Sequence, residues 1–309
     1  MPNIRVLQVS LTLGLLLSLN HSAGQATPSR PAGPRINVAF FAIDGHDKPV
    51  SGVTLADVTV LDNKKAPQST LGIRSRAELP LRLGILIDTS RSERASGLYQ
   101  VGVQTAWDFS NQVLSGPDDK VFIEKFDASP NATGFITKEQ LSALKVDVTP
   151  AGPTALYDAL RFACDERMKN DPVEDSLRVI VLLSDGEDDQ SHISHEDAIA
   201  SAQRAGAVIF GVSTWDDSRS LGFGNPHGDG TLKEITDKTG GMAFLHLNRK
   251  DIPKAFAVIK EQIDNMYLLS YLPADPDYRG QYRTIELKPT PNAKLKLRSP
   301  KGYYGHLSN

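Results

Sequence analysis

The stretch RLGILIDTSRS, Arg82–Ser92, decides how the rest of the chain is read. Beyond Arg82 it is apolar apart from one glycine until it reaches Asp88, and hydroxyls then follow at Ser90 and Ser92. A strand that is apolar along its whole length is covered on both faces, which is the situation of a strand inside a parallel sheet flanked by helices. The acid and serines at its end have two readings. The serines cap a following helix, or the side chains at i, i+2 and i+4 turn towards one point and hold a metal ion.

Working outward, the chain from Leu81 alternates strand-like and helix-like segments. A helix is expected from about Ala95 to Leu114, with Leu98, Val101, Thr105, Phe109 and Val113 near one face. KVFIEKF (Lys120–Phe126), SLRVIVLLSD (Ser176–Asp185), AVIFGVS (Ala207–Ser213) and GMAFLHL (Gly241–Leu247) read as strands. TALYDALRFACDERMK (Thr154–Lys169), HEDAIASAQRAG (His195–Gly206), GTLKEITDKTG (Gly230–Gly240) and DIPKAFAVIKEQIDNM (Asp251–Met266) read as helices. This alternation predicts an α/β domain over residues 81–266, a doubly wound, mostly parallel, Rossmann-like sheet with helices on both faces.

The flanks are different. INVAFFAID, VTLADVTVLD and STLGIRS form a β segment over residues 36–80, and YLLSYLP, QYRTIELKP and AKLKLRS form another over residues 267–309. Each is roughly fifty residues or fewer, too little chain to bury a core alone. The expectation is that the two pack together as one small β-sandwich in which the α/β domain is inserted.

At the N-terminus, Arg5 precedes an apolar run from Val6 to Leu19, followed by small residues at Ser22, Ala23, Gly24 and Ala26. This is the layout of a signal peptide over residues 1–26, with a retained anchor as the alternative and a Pro-rich linker over residues 27–35. A secreted or periplasmic location is expected. No later apolar run approaches the ~18 residues of a membrane span. The net charge of −3 gives no electrostatic footprint for nucleic acid. The one cysteine, Cys164, falls in helical register with Leu156 and Leu160 and reads as a small buried hydrophobe.

In a doubly wound sheet, ligands bind beyond the carboxyl ends of the strands, where strand order reverses. Asp88 and Asp185 each end an apolar strand at that edge, and a divalent cation would relieve their repulsion. AGPTAL, Ala151–Leu156, adds Thr154 in a Gly-Pro turn at the mouth of a helix. Asp88, Ser90, Ser92, Thr154 and Asp185 together offer oxygen ligands from separate loops. They suit Mg²⁺, with Mn²⁺ or Ca²⁺ as alternatives, and a partner's carboxylate would complete the shell.

These residues carry a resemblance. DTSRS resembles the DxSxS motif of the von Willebrand factor type A domain, AGPTAL its threonine in a Gly-rich turn, and LLSDGEDD its aspartate followed by glycine. The resemblance implies a metal-ion-dependent adhesion site made of Asp88, Ser90, Ser92, Thr154 and Asp185. It also implies a protein-binding role. The front segment DKPVSGVTLADVTVLDNKKAP and the tail YLLSYLP…YRTIEL…LRSPKGYYG are similar to the flanks of a secreted bacterial group of von Willebrand factor A-related proteins first recognised in Acidobacteria. Two places depart from the pattern. Pro153 stands where glycine is usual before the threonine, and Arg91, Glu93 and Arg94 surround Ser92 where glycine and methionine are commoner.

Around the site, Arg91, Glu93, Asp188 and Trp215 are expected on a partner-binding rim, with a packed Trp215 as the alternative. Ser213–Gly230 reads as a long polar loop contributing to that rim. DGEDDQSHISHED, Asp185–Asp197, carries His192 and His195 and reads as a solvated acidic loop or, alternatively, a second metal site. No nucleophile elbow, phosphate loop or zinc-hydrolase motif is present, so a binding protein is expected rather than an enzyme. The alternatives are a scaffold component of an envelope assembly and a metal-dependent hydrolase using Asp88 and Asp185.

Overall fold

The first strands are β1 (Ile36–Ile43), β2 (Val58–Asp62) and β3 (Ser69–Ser75). The computed structural model describes residues 35–145, 147–217, 224–275 and 280–304. The expected signal segment, and the linker up to residue 34, lie outside them.

The α/β body follows: β4 (Leu81–Asp88), α1 (Tyr99–Val113), β5 (Lys120–Phe126), β6 (Pro130–Ala132), α2 (Lys138–Ala143), α3 (Leu156–Phe162), β7 (Leu177–Ser184), α4 (His195–Ala205), β8 (Val208–Ser213), α5 (Pro226–Thr239), β9 (Ala243–Phe244) and α6 (Asp251–Asp264). The chain ends with β10 (Tyr267–Leu272), β11 (Tyr282–Pro289), β12 (Lys296–Arg298) and β13 (Gly302–Tyr304).

Six strands form the central sheet in the order β6-β5-β4-β7-β8-β9, and all pairings are parallel except that of the edge strand β6. The period-two geometry of strands divides their side chains between two cores. Leu83, Ile85 and Ile87 of β4 join Val179, Val181 and Leu183 of β7 on the face covered by α1 and α6. Leu86, Phe122, Ile180 and Leu182 face α3, α4 and α5. Coverage on both sides is why every residue of β4 and β8 is buried. Gly84 makes room within this packing, since a Cβ there would lie 2.5 Å from the Phe122 ring.

Several elements differ from expectation. The helix expected from Ala95 is a 3-10 turn at Arg91–Ala95 followed by α1. The break is stabilised by Ser96, whose Oγ accepts from the N–H groups of Leu98 and Tyr99 at 3.1 and 3.2 Å. The helix expected over Thr154–Lys169 is α3 running on into a wider π-helical turn at Ala163–Met168, which holds the buried free thiol of Cys164. α5 begins at Pro226 and not at Gly230, because Asn225 caps it and proline suits a first helical position. Part of the expected Ser213–Gly230 loop is therefore helix, and residues 218–223 lie outside the described set.

The flanking strands make two further antiparallel sheets, β12-β1-β10-β3 and β13-β11-β2. Both mix strands from before and after the α/β body: β1 pairs with β10 and β12, and β2 with β11. Val38 and Phe40 of β1, Val60 of β2, Leu269 and Tyr271 of β10 and Ile285 of β11 fill the space between them. Asp62 is buried there, accepting from Arg283 Nε at 2.7 Å and Tyr303 OH at 2.8 Å. The outer face of the first sheet is not left to solvent. Ala39, Phe41 and Leu268 belong to the same core as α1 and α6, and the Phe41 ring meets Phe210 of β8 edge-on at 5.9 Å. No helix among the described residues is long and apolar enough to cross a membrane.

Candidate metal centre

β4 lies between β5 and β7, so the chain leaves it to one side first and returns on the other. The loops after β4 and β7 therefore part at the carboxyl edge and leave a crevice. Asp88 is the last residue of β4, and Asp185 directly follows β7.

Asp88 is fully buried. Its Oδ1 accepts from the backbone N–H of Ser90 at 2.9 Å, and its Oδ2 from Ser184 Oγ at 2.7 Å. Ser90 is also buried, and its Oγ lies 3.1 Å from Ser92 Oγ. Asp185 accepts from the N–H of Glu187 at 3.1 Å. The turn after it needs glycine: Gly186 has φ +83°, and a Cβ there would sit 2.2 Å from the carbonyl oxygen of Gly228. Asn225 Nδ2 donates to the Asp185 carbonyl at 2.7 Å, so the start of α5 braces the loop.

Thr154 stands just before α3 in a turn tied to both loops. Ala151 N–H donates to the Thr89 carbonyl at 2.6 Å, and Arg91 N–H to that of Gly152 at 2.9 Å. On the other side, Thr154 N–H donates to Asp189 Oδ1 at 2.8 Å, while its carbonyl accepts from the N–H groups of Asp189 and Gln190. The hydroxyls of Ser90 and Ser92 thus meet beside Asp88 and Asp185, and Thr154 is held against the same loops by backbone bonds.

The residues expected on the rim divide. Arg91 is exposed at the mouth. Glu93 is not on the rim: it is 2 % exposed, and its Oε1 accepts from Thr214 Oγ1 at 2.5 Å. The 3-10 turn turns this side chain inward, placing carboxylate oxygens of Asp88, Glu93 and Asp185 all within 4.8 Å of one another. Asp188 is half-buried and used as a brace, accepting from Tyr157 N–H at 3.2 Å and Ser191 Oγ at 2.5 Å. Trp215 is half-buried beside a cavity of about 200 Å³ whose wall includes Ser92, Glu93, Asp185, Thr214 and Asp216. His192 Nδ1 is bound to Asp158 at 2.7 Å and His195 Nδ1 lies 3.8 Å from Glu234. Neither joins a metal-sized group among the described residues.

Electrostatics set this edge apart. Burial, and then the charge of Asp185, push the Asp88 carboxyl from 3.8 up to about 7, against the opposing hydrogen bonds of Ser90 and Ser184. Burial raises Asp185 as well. Glu93 is raised well above the usual range by burial and by the charges of Asp88 and Asp185. Among the described residues no ion pair joins any of the three to a lysine or arginine. Clustered, buried, uncompensated carboxylates beside hydroxyls are what a hard cation needs, so the residues present fit a metal ion.

The sheet order, the crevice at its reversal and the three loops that carry DTSRS, AGPTAL and SDGED now stand together. The α/β body has the von Willebrand factor type A fold. No family model and no curated protein sequence matches the chain. Among solved structures, it is similar to a von Willebrand factor type A protein from Catenulispora acidiphila, at 10% identity and a TM-score of 0.48, over 90% of this chain and 76% of that one. It is also similar to proximal thread matrix protein 1 from the mussel byssus, in a form with a zinc-occupied MIDAS motif, at 18% identity and a TM-score of 0.45. That match takes in 62% of this chain and spans about half the mussel protein, 47% of its length. A third is an aerotolerance-related membrane protein from Bacteroides fragilis, at 16% identity and a TM-score of 0.42, over 60% of this chain and 98% of that one. What places this chain with the von Willebrand factor type A fold is its own strand order and loop geometry.

Proposed function

We propose that this is an extracytoplasmic protein-binding or adhesion protein whose metal centre receives a carboxylate from a partner. The observation that carries the proposal is the set of buried carboxylates that no cation among the described residues pairs with, beside two serine hydroxyls, at the sheet's reversal point. Asp88, Ser90, Ser92, Thr154 and Asp185 are the residues that would hold the ion. Mg²⁺ is the proposed occupant, with Mn²⁺ and Ca²⁺ as alternatives, because every donor is oxygen. Once bound, the ion supplies an electrophilic position for a partner's acid. The exposed Arg91 adds positive charge at the mouth and favours the approach of an acid. Trp215, half-buried in the cavity wall beside Ser92 and Asp185, offers an apolar contact next to the ion. Export is proposed from Arg5 and the apolar run behind it, and a binding role is proposed rather than a catalytic one.

The test is capture of partners from envelope extracts on the immobilised protein, with Mg²⁺ and then with EDTA, repeated with Asp88→Ala. Capture that needs Mg²⁺ and is lost in the variant is expected. Capture indifferent to both would overturn the proposal.

A further inference from the structure

The five positions of the adhesion-site pattern do not account for Glu93. It follows Ser92 directly in the 3-10 turn, and its side chain runs inward where a surface position was expected. One oxygen, Oε1, takes the Thr214 hydroxyl. The other, Oε2, is buried and has no hydrogen-bond partner among the described residues. An unpartnered buried carboxylate oxygen is costly to keep, and the same carboxylate clusters with those of Asp88 and Asp185. The cluster therefore brings like charges together, and its Glu93 member carries a ligand atom left unpartnered among the described residues. Packing does not require this arrangement, since an apolar side chain would fill the same space without that cost.

We infer that Glu93 is a third carboxylate of the metal centre, its free Oε2 serving the ion directly or through an ion-bound water. This rests on the metal-site reading above and deepens it in one respect, charge. Asp88 and Asp185 alone balance a divalent cation. With Glu93 the protein contributes one negative charge more than such an ion neutralises, so the centre holds cations more tightly, favours higher cation charge and draws a partner's acid less strongly than two carboxylates would.

The test is titration of the purified metal-free protein with Mn²⁺, followed by electron paramagnetic resonance of free Mn²⁺, and with Tb³⁺, followed by luminescence. Wild type, Glu93→Gln and Ser92→Ala are compared. Circular dichroism checks that each is folded, and Thr214→Val, which releases Oε1 but keeps the carboxylate, serves as a second variant. Glu93→Gln is expected to weaken Mn²⁺ binding about 10-fold or more, on the scale of losing a metal-site partner, and to weaken Tb³⁺ more than Mn²⁺. Thr214→Val is expected to retain the Tb³⁺ preference. If wild type binds Mn²⁺ and Ser92→Ala does not, yet Glu93→Gln matches wild type for both ions, Glu93 is only a structural partner of Thr214 and the inference is overturned. If wild type itself binds neither ion, the metal-site reading fails first.

Discussion

The two ends of the central sheet both bury carboxylates, and they treat them in opposite ways. At the amino edge, Asp119 is paired with the buried Arg76 and accepts from the N–H groups of Leu81, Ser115 and Gly116 at 2.8, 3.0 and 2.7 Å. Asp171 is held there by Arg82 at 2.6 Å. At the carboxyl edge, Asp88, Glu93 and Asp185 receive, among the described residues, only hydroxyl and amide donors. The contrast separates charge that holds the fold from charge set out for something external. Where a carboxylate only joins loops, the sequence supplies the cation; where it faces the crevice, its charge is left for the external cation proposed above.

The comparison can be broken first at the amino edge. Asp119→Ala leaves the Arg76 guanidinium buried without its partner, and a loss of about 3–5 kcal/mol is expected, measured by urea unfolding. A loss below about 1 kcal/mol would mean that this pair is not structural in the sense argued.

The carboxyl edge should respond to pH. Folded Asp88, at about 7, keeps a proton that the unfolded chain, at 3.8, has already released. The folded state then binds more protons between those values, so metal-free stability falls as pH rises from about 4 to about 7, by a few kcal/mol. Asp185 and Glu93 are shifted in the same direction and act with the same sign. Saturating Mg²⁺ should flatten the fall. Unfolding midpoints at about pH 5 and pH 7.5, with and without Mg²⁺, measure it, and a metal-free protein that gains stability over this range would contradict the reading.

The smallest effect sharpens the contrast from the surface. Arg91→Ala should change stability by less than about 0.5 kcal/mol, since the side chain is exposed, while slowing capture of an acidic partner at low salt. Surface plasmon resonance at two salt concentrations would read this.

The layered sheet was legible because continuous apolar strands such as Leu81–Asp88 and Leu177–Ser184 have one comfortable environment. Asp88 and Asp185 were legible as acids ending such strands, and Ser90, Ser92 and Thr154 as the hydroxyls beside them. Glu93 was misplaced because SRSERAS is polar throughout and reads as solvated. A signal was nonetheless present: Ser90 and Glu93 are three apart, and in a 3-10 turn residues at that spacing share a side. The same S-x-x-E spacing also matches a helix cap, and the sequence alone does not choose between the two. The edge strand β6 and the terminal β13 were obscured because short edge strands bury too little to leave a pattern, whereas the strand expected at Gly241–Leu247 is present only as the two residues of β9. The early start of α5 was signalled by Asn225-Pro226 and missed in favour of the glycines around it.

One consequence of the sheet order is mechanical. β4 carries Asp88 at one end and joins the flanking sandwich through Leu79 and Arg76 at the other. It is laced along its length to β5 on one side and β7 on the other, by registers running from Arg82 to Asp88 and from Leu81 to Ile87. Were a partner to pull on an ion held there, as proposed above, force along this strand would load both ladders in shear, so their bonds would share it instead of opening one after another. The strand that ends in Asp88 would thereby also be the tether through which tension reaches the rest of the molecule.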